Sequence, residues 1–148
     1  MIAKYYGLYF KSLSEAKINL AADTIKVMLC TSAYTPDQDT HQFKSSVTNE
    51  VSGTGYTAGG ATITGVSVSY NASTNVLSFD GGDVSWSPAT LIGANAPRYA
   101  VIYDSTPATD ATRPLIGYIN FETDDYAPNG GTLTIQWNAG GIGSVTVN

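Results

Sequence analysis

The chain has 148 residues, enough for one domain to bury a core without disulfide or metal staples. Its net charge of −5, with seven Lys and Arg scattered along the sequence, excludes nucleic acid as the main partner, because phosphate binding needs clustered cations that displace counterions. Charged residues make up only 13% of the chain, against roughly 25% in a typical soluble domain. With ten Tyr, this suits either a surface covered by another protein, where a phenol is easier to desolvate than a charge, or an all-β fold of low charge.

Tyr6, Tyr9, Phe10, Leu13 and Ala16 recur at helical spacing and predict a short amphipathic helix within residues 1–22. Ser12-Leu13-Ser14-Glu15 also fits a capping box, which would start the helix at Leu13 and leave the preceding aromatics as an extended arm. The start of the chain has one positive charge, no long apolar run and no small-residue cleavage pattern, unlike a secretory signal. No stretch approaches the roughly 18 consecutive apolar residues of a membrane span. Residues 24–31 form the first clear strand, with Ile25, Val27 and Leu29 on one face and Lys26, Met28 and Cys30 on the other. Cys30 has no partner for an internal disulfide, which suits a reducing compartment.

Residues 32–60 show neither alternation nor a helical period. A connection of this length is unusual in a compact domain, and its spaced apolar residues, Phe43, Val47, Val51 and Tyr56, predict a loop that docks on something. Beyond it the pattern is regular. Val66, Val68 and Tyr70 alternate with Ser67 and Ser69, residues 71–75 supply a turn, and residues 76–79 return as a hairpin partner. Residues 80–83 turn the chain again, so that Val84 and Trp86 face the core. Residues 98–104 and 115–121 are apolar on both sides, as in central strands covered on two faces. Residues 131–137 place Leu133, Ile135 and Trp137 on one face, and residues 143–147 form a short last strand. These elements predict a single mainly β domain over residues 1–148, an antiparallel β-sandwich or jelly-roll-like barrel with a short N-terminal helix or arm and one long loop. Trp86, Val101, Ile119 and Ile135 are predicted core residues.

No catalytic constellation accompanies these strands. The glycine-rich residues 53–60 lack the Gly-Lys-Ser/Thr ending of a phosphate-binding loop, and their glycines are better suited to close backbone packing. Neither Asp37 and Asp39 nor Glu122, Asp124 and Asp125 matches calcium-loop spacing, so no cofactor or metal is expected. His41 has no ligand or nucleophile partner at a useful spacing and is expected to be exposed. Cys30 is expected to act as a small buried hydrophobe. Asn71-Ala72-Ser73 fits a glycosylation sequon, but its Asn also suits the turn. The chain is therefore expected to be no enzyme.

Taken in order, the aromatic N-terminus with Leu20 and residues 23–29, residues 47–60 with their Gly-Tyr-Thr-Ala-Gly-Gly core, residues 83–86, and the pair of segments at 98–104 and 115–121 resemble a family of small β-rich virion proteins of tailed bacteriophages. The resemblance spans most of the chain. It implies a virion structural protein assembled in the host bacterial cytoplasm, most simply a capsid decoration (cement) protein that binds the outer face of the head. The implied partners are the major capsid protein lattice and further copies of the chain, with a trimer as the first expectation. Tyr5, Tyr6, Tyr9, Phe10, Phe43, Val47, Val51 and Tyr56 are the candidate interface residues, although the N-terminal aromatics could equally cover one end of the sandwich. Two alternatives stand beside it: a tail or tail-tip component, and a carbohydrate-binding module that uses an exposed Trp86 or Trp137 as a stacking platform.

Overall fold

The computed structural model describes residues 1–123 and 126–147. Its central layer follows from the two segments that are apolar on both sides. β2 (Ile25–Cys30) and β8 (Leu115–Asn120) flank β7 (Tyr99–Asp104), all antiparallel, with Val27 opposite Ile102 and Ala100 opposite Ile119. Val27, Leu29, Ala100, Val101 and Leu115 are wholly buried, as such strands must be when both faces are covered. Two further strands complete a five-stranded sheet in the order β1-β8-β7-β2-β3: β1 (Ile2–Tyr5) pairs with β8, and the two-residue β3 (Ala61–Thr62) with β2.

Helix α1 (Gly7–Ser14) follows β1 and packs on β8. Ala16 adopts φ 54°, its N–H reaches Leu13 O, and Lys17 N–H reaches Ser12 O at 2.9 Å, which is a Schellman ending that satisfies the last helical carbonyls. The capping-box alternative is thereby corrected. Ser12-Leu13-Ser14-Glu15 closes the helix instead of opening it, and the residues before the helix form an edge strand instead of a loose arm.

The other strands make two smaller antiparallel sheets. β6 (Val84–Thr90) pairs with β9 (Asn129–Ile135) and buries Val84, Trp86, Ala89, Leu133 and Ile135. β6 runs four residues past the predicted Trp86, with its register broken between Trp86 and Ala89, where Pro88 has no N–H to give to the ladder. β4 (Ser67–Asn71) and β5 (Val76–Asp80) form the predicted hairpin, whose turn is held by Asn71 Oδ1 accepting the N–H groups of Ser73 and Thr74. β10 (Gly143–Thr146) adds to β5, giving the order β10-β5-β4. All three sheets contribute to one hydrophobic core, and the four predicted core residues all lie in it. The fold is thus a β-sandwich with one short helix near its N-terminus.

The long connection carries no strand, as its pattern predicts, but it is bound to its own domain. Val51 N–H donates to Leu29 O, Leu115 N–H to Gln42 O and Thr90 N–H to Thr54 O. Gly60, at φ +72°, passes so close to β2 that a Cβ there would lie 1.8 Å from Val27 O, an approach open only to glycine. The expectation that residues 32–60 reach outward to dock is corrected on this point: much of what the loop docks on is the chain's own sheet.

Candidate functional site

The N-terminal aromatics divide by where the β1–α1 corner points them. Tyr6 is wholly buried, and its hydroxyl lies 2.9 Å from that of Tyr34. Tyr9 is buried on the inner face of α1. Burial pushes both hydroxyls well above the usual tyrosine range. As interface residues these two are corrected, since their side chains belong to the core. Tyr5 is half-buried and Phe10 is 44% exposed. Tyr5 stacks on Tyr9 with centroids 5.3 Å apart, and Phe10 meets Tyr9 at 5.1 Å and Tyr5 at 5.5 Å, an aromatic trio with one open side.

The loop residues are sorted by the same logic. Val51 is buried beside β2 and cannot meet a partner. Phe43 and Val47 are half-buried. Tyr56 is half-buried too, but its hydroxyl is committed: it donates to Glu50 Oε1 at 2.7 Å and accepts Leu29 N–H at 3.0 Å. Its ring packs against buried Trp86. Its role is to hold the loop to β2. His41 is half-buried, in place of the exposed position expected, with Nδ1 3.1 Å from the Tyr34 hydroxyl and its ring stacked on Tyr34. That tyrosine's pKa is pushed up to about 12, chiefly by burial.

The open side of the aromatic trio borders a groove of about 670 Å³. One wall is α1 and the following turn, with Phe10, Leu13 and Leu20. The other is one face of the three-stranded sheet. Strand register explains why that face is apolar. Val68 sits opposite Phe79, Tyr70 opposite Leu77, and Leu77 opposite Val145, so these residues share one side, while Ser67, Ser69, Ser78 and Ser144 share the other. Phe79 is buried, but Val68, Leu77 and Val145 are each about 40% exposed. Sequence alternation shows the stripe, but the helix opposite it is a tertiary neighbour that no local pattern reveals.

Two smaller clefts differ in character. A cleft of about 380 Å³ is lined by half-buried Trp137 with Tyr5, Tyr118, Lys4 and Gln136; the Trp137 indole N–H is already given to Gly82 O at 2.9 Å. A polar cleft of about 320 Å³ holds Lys44 and Arg113, both 2.7 Å from Asp110. These pairs hold the Asp110 carboxyl below its usual range, Lys44 first, and they clamp the long loop to the β7–β8 connection. Elsewhere, Asp104 is buried at the end of β7 with Oδ1 accepting Thr106 N–H at 2.8 Å and Oδ2 meeting no donor among the described residues. Burial, and then the nearby Asp23 carboxyl, raise its pKa.

Chemically reactive groups are muted. Burial raises the Cys30 thiol to about 12, the opposite of an activated nucleophile. Among the described residues no group of three or more His, Cys, Asp or Glu could hold a metal ion, and no helix is long and apolar enough to cross a membrane. Of the acidic cluster at Glu122, Asp124 and Asp125, the last two lie outside the described residues. No family model, curated protein or solved structure matches the chain.

Proposed function

We propose that the protein is a non-enzymatic structural component of a tailed-phage particle, a decoration protein that docks on the outer face of the assembled head and also self-associates. The observation that carries this reading is the charge-poor apolar groove between α1 and the three-stranded sheet, with Phe10, Val68, Leu77 and Val145 left partly in solvent. Contiguous exposed apolar surface marks an interaction site, and the resemblance to phage virion proteins supplies the lattice as partner. The contact residues are Tyr5, Phe10, Leu13, Leu77 and Val145 in place of Tyr6, Tyr9, Val51 and Tyr56.

The test is co-sedimentation with capsids that lack the protein. Wild type is expected to pellet with heads, and the double variant Phe10→Ser/Leu77→Ser to remain in solution while keeping its circular dichroism. Deleting residues 1–10 would not serve, because it removes β1 and takes Tyr6 and Tyr9 from the core. Wild type that ignores heads and pellets with tails instead would move the assignment to the tail. A second reading, glycan binding, is favoured only by the cleft beside Trp137, since Trp86 is buried; pelleting with insoluble polysaccharide in place of capsids would select it.

A further inference from the structure

β4 is the last strand of its sheet, all five of its residues are exposed, and among the described residues no strand pairs with its outer side. A free strand edge is a template for another chain, and proteins that stay monomeric blunt it with charge, proline, a bulge or extreme shortness. Other open edges here are managed in these ways: β6 carries Pro88, and its register with β9 is broken twice. β1 carries Lys4 and β3 has only two residues. β10 has only four residues. β4 has no such device. Its sequence, Ser67-Val68-Ser69-Tyr70-Asn71, has neither charge nor proline, and its register with β5 is unbroken.

We infer that β4 pairs antiparallel with β4 of a second copy around a two-fold axis at Ser69, joining two three-stranded sheets into one of six. Three features select the chain itself as occupant. A two-fold contact sets a strand against itself, so any charge near its centre would face a like charge, and β4 carries none. Centring on Ser69 places Val68 opposite the partner's Tyr70, Ser67 opposite the partner's Asn71, and Ser69 opposite its own mate, so apolar meets apolar and polar meets polar. A register slipped by one residue would set Val68 against Ser69 or Asn71. Finally, Val68 and Tyr70 are 40% and 55% exposed, and cross-strand pairing covers part of both. A strand that pairs with itself generates a two-fold pair, in place of the three-fold ring expected from the sequence. The inference rests on the self-association proposed above and is independent of the virion setting.

Ser69 gives a direct test, because it is exposed and points away from the apolar face. Sedimentation velocity of the full chain is expected to show a wild-type dimer. Ser69→Lys and Ser69→Glu each place like charges directly across the axis and are expected to be monomers with unchanged circular dichroism. An equal mixture of the two sets Lys against Glu and is expected to recover dimers. A wild type that is monomeric or trimeric overturns the pairing, as does a Ser69→Lys protein that stays dimeric or a mixture that stays monomeric. A wild-type dimer that never pellets with capsids sinks the head-docking reading alone, whereas a monomer that does pellet sinks this pairing with the self-association it rests on and leaves head docking standing.

Discussion

β7 and β4 are both extended strands with regular antiparallel partners, yet their surroundings are opposite. β7 lies third of five in its sheet with Ala100, Val101, Ile102, Tyr103 and Asp104 all buried, whereas every residue of β4 is exposed. The difference lies in what covers the second face and the second edge. β7 is apolar on both sides because both sides are roofed; β4 is apolar on one side, and that side meets a helix across a groove instead of packing against it. Alternation in sequence tells which residues share a face. It does not tell whether the face is filled.

The contrast is sharpest when a large side chain is removed from each region. Ile116 is 1% exposed in β8, and Ile116→Ala is expected to lower unfolding free energy by roughly 2–5 kcal/mol in denaturant titrations, through lost burial and the cavity left behind. A loss below about 1 kcal/mol would mean that the central sheet is no better packed than the hairpin. The next largest effect is expected at the loop that seals the edge of β2. Gly60→Ala must relieve both the positive φ and the contact with Val27 O, at a cost of roughly 1–3 kcal/mol or more. Gly65→Ala, at φ +61° but in open space, is expected to cost only the backbone strain of roughly 1–2 kcal/mol. Equal thermal midpoints for the two would show that the loop is not seated on the sheet.

Asp104 gives the central sheet a pH signature. Its folded pKa is raised above the ordinary 3.8, so its stabilising contribution is full below that value and is lost as pH rises through the folded pKa. Asp104→Asn keeps the neutral shape at every pH. The stability of this variant relative to wild type is therefore expected to rise from acidic towards neutral pH, in paired denaturation curves. A difference that stays flat with pH would remove the case for a raised carboxyl. The smallest effect is expected for Leu77→Ala on the open face, under about 1 kcal/mol in stability because the side chain is 41% exposed.

The same contrast explains what was legible in the sequence. β2, β7 and β8 announce themselves because apolar runs bounded by turn residues leave few other readings, and the β4–β5 hairpin is signalled by alternation around an Asn-rich turn. β1 is hidden because its four residues carry little burial and adjoin a stronger helical spacing from Tyr6 to Leu13. The far half of β6 is hidden because Pro88 interrupts the alternation, although the strand resumes pairing at Ala89. For the candidate interface, hydrophobicity alone does not separate Tyr6, Tyr9 and Val51, which fill the core, from Phe10, which borders the groove. That separation is decided by which side of α1 meets β8 and where Leu29 captures the loop, both products of contacts distant in sequence.

Cys30 closes β2 with no measurable exposure, opposite Tyr99 and beneath the bridge to Glu50. A thiol so placed, with its pKa near 12, is chemically silent until the sheet parts around it. The chain thus carries a single natural stopwatch: the rate at which a thiol reagent modifies it measures how often β2 detaches, with no probe introduced and no second cysteine to confuse the reading.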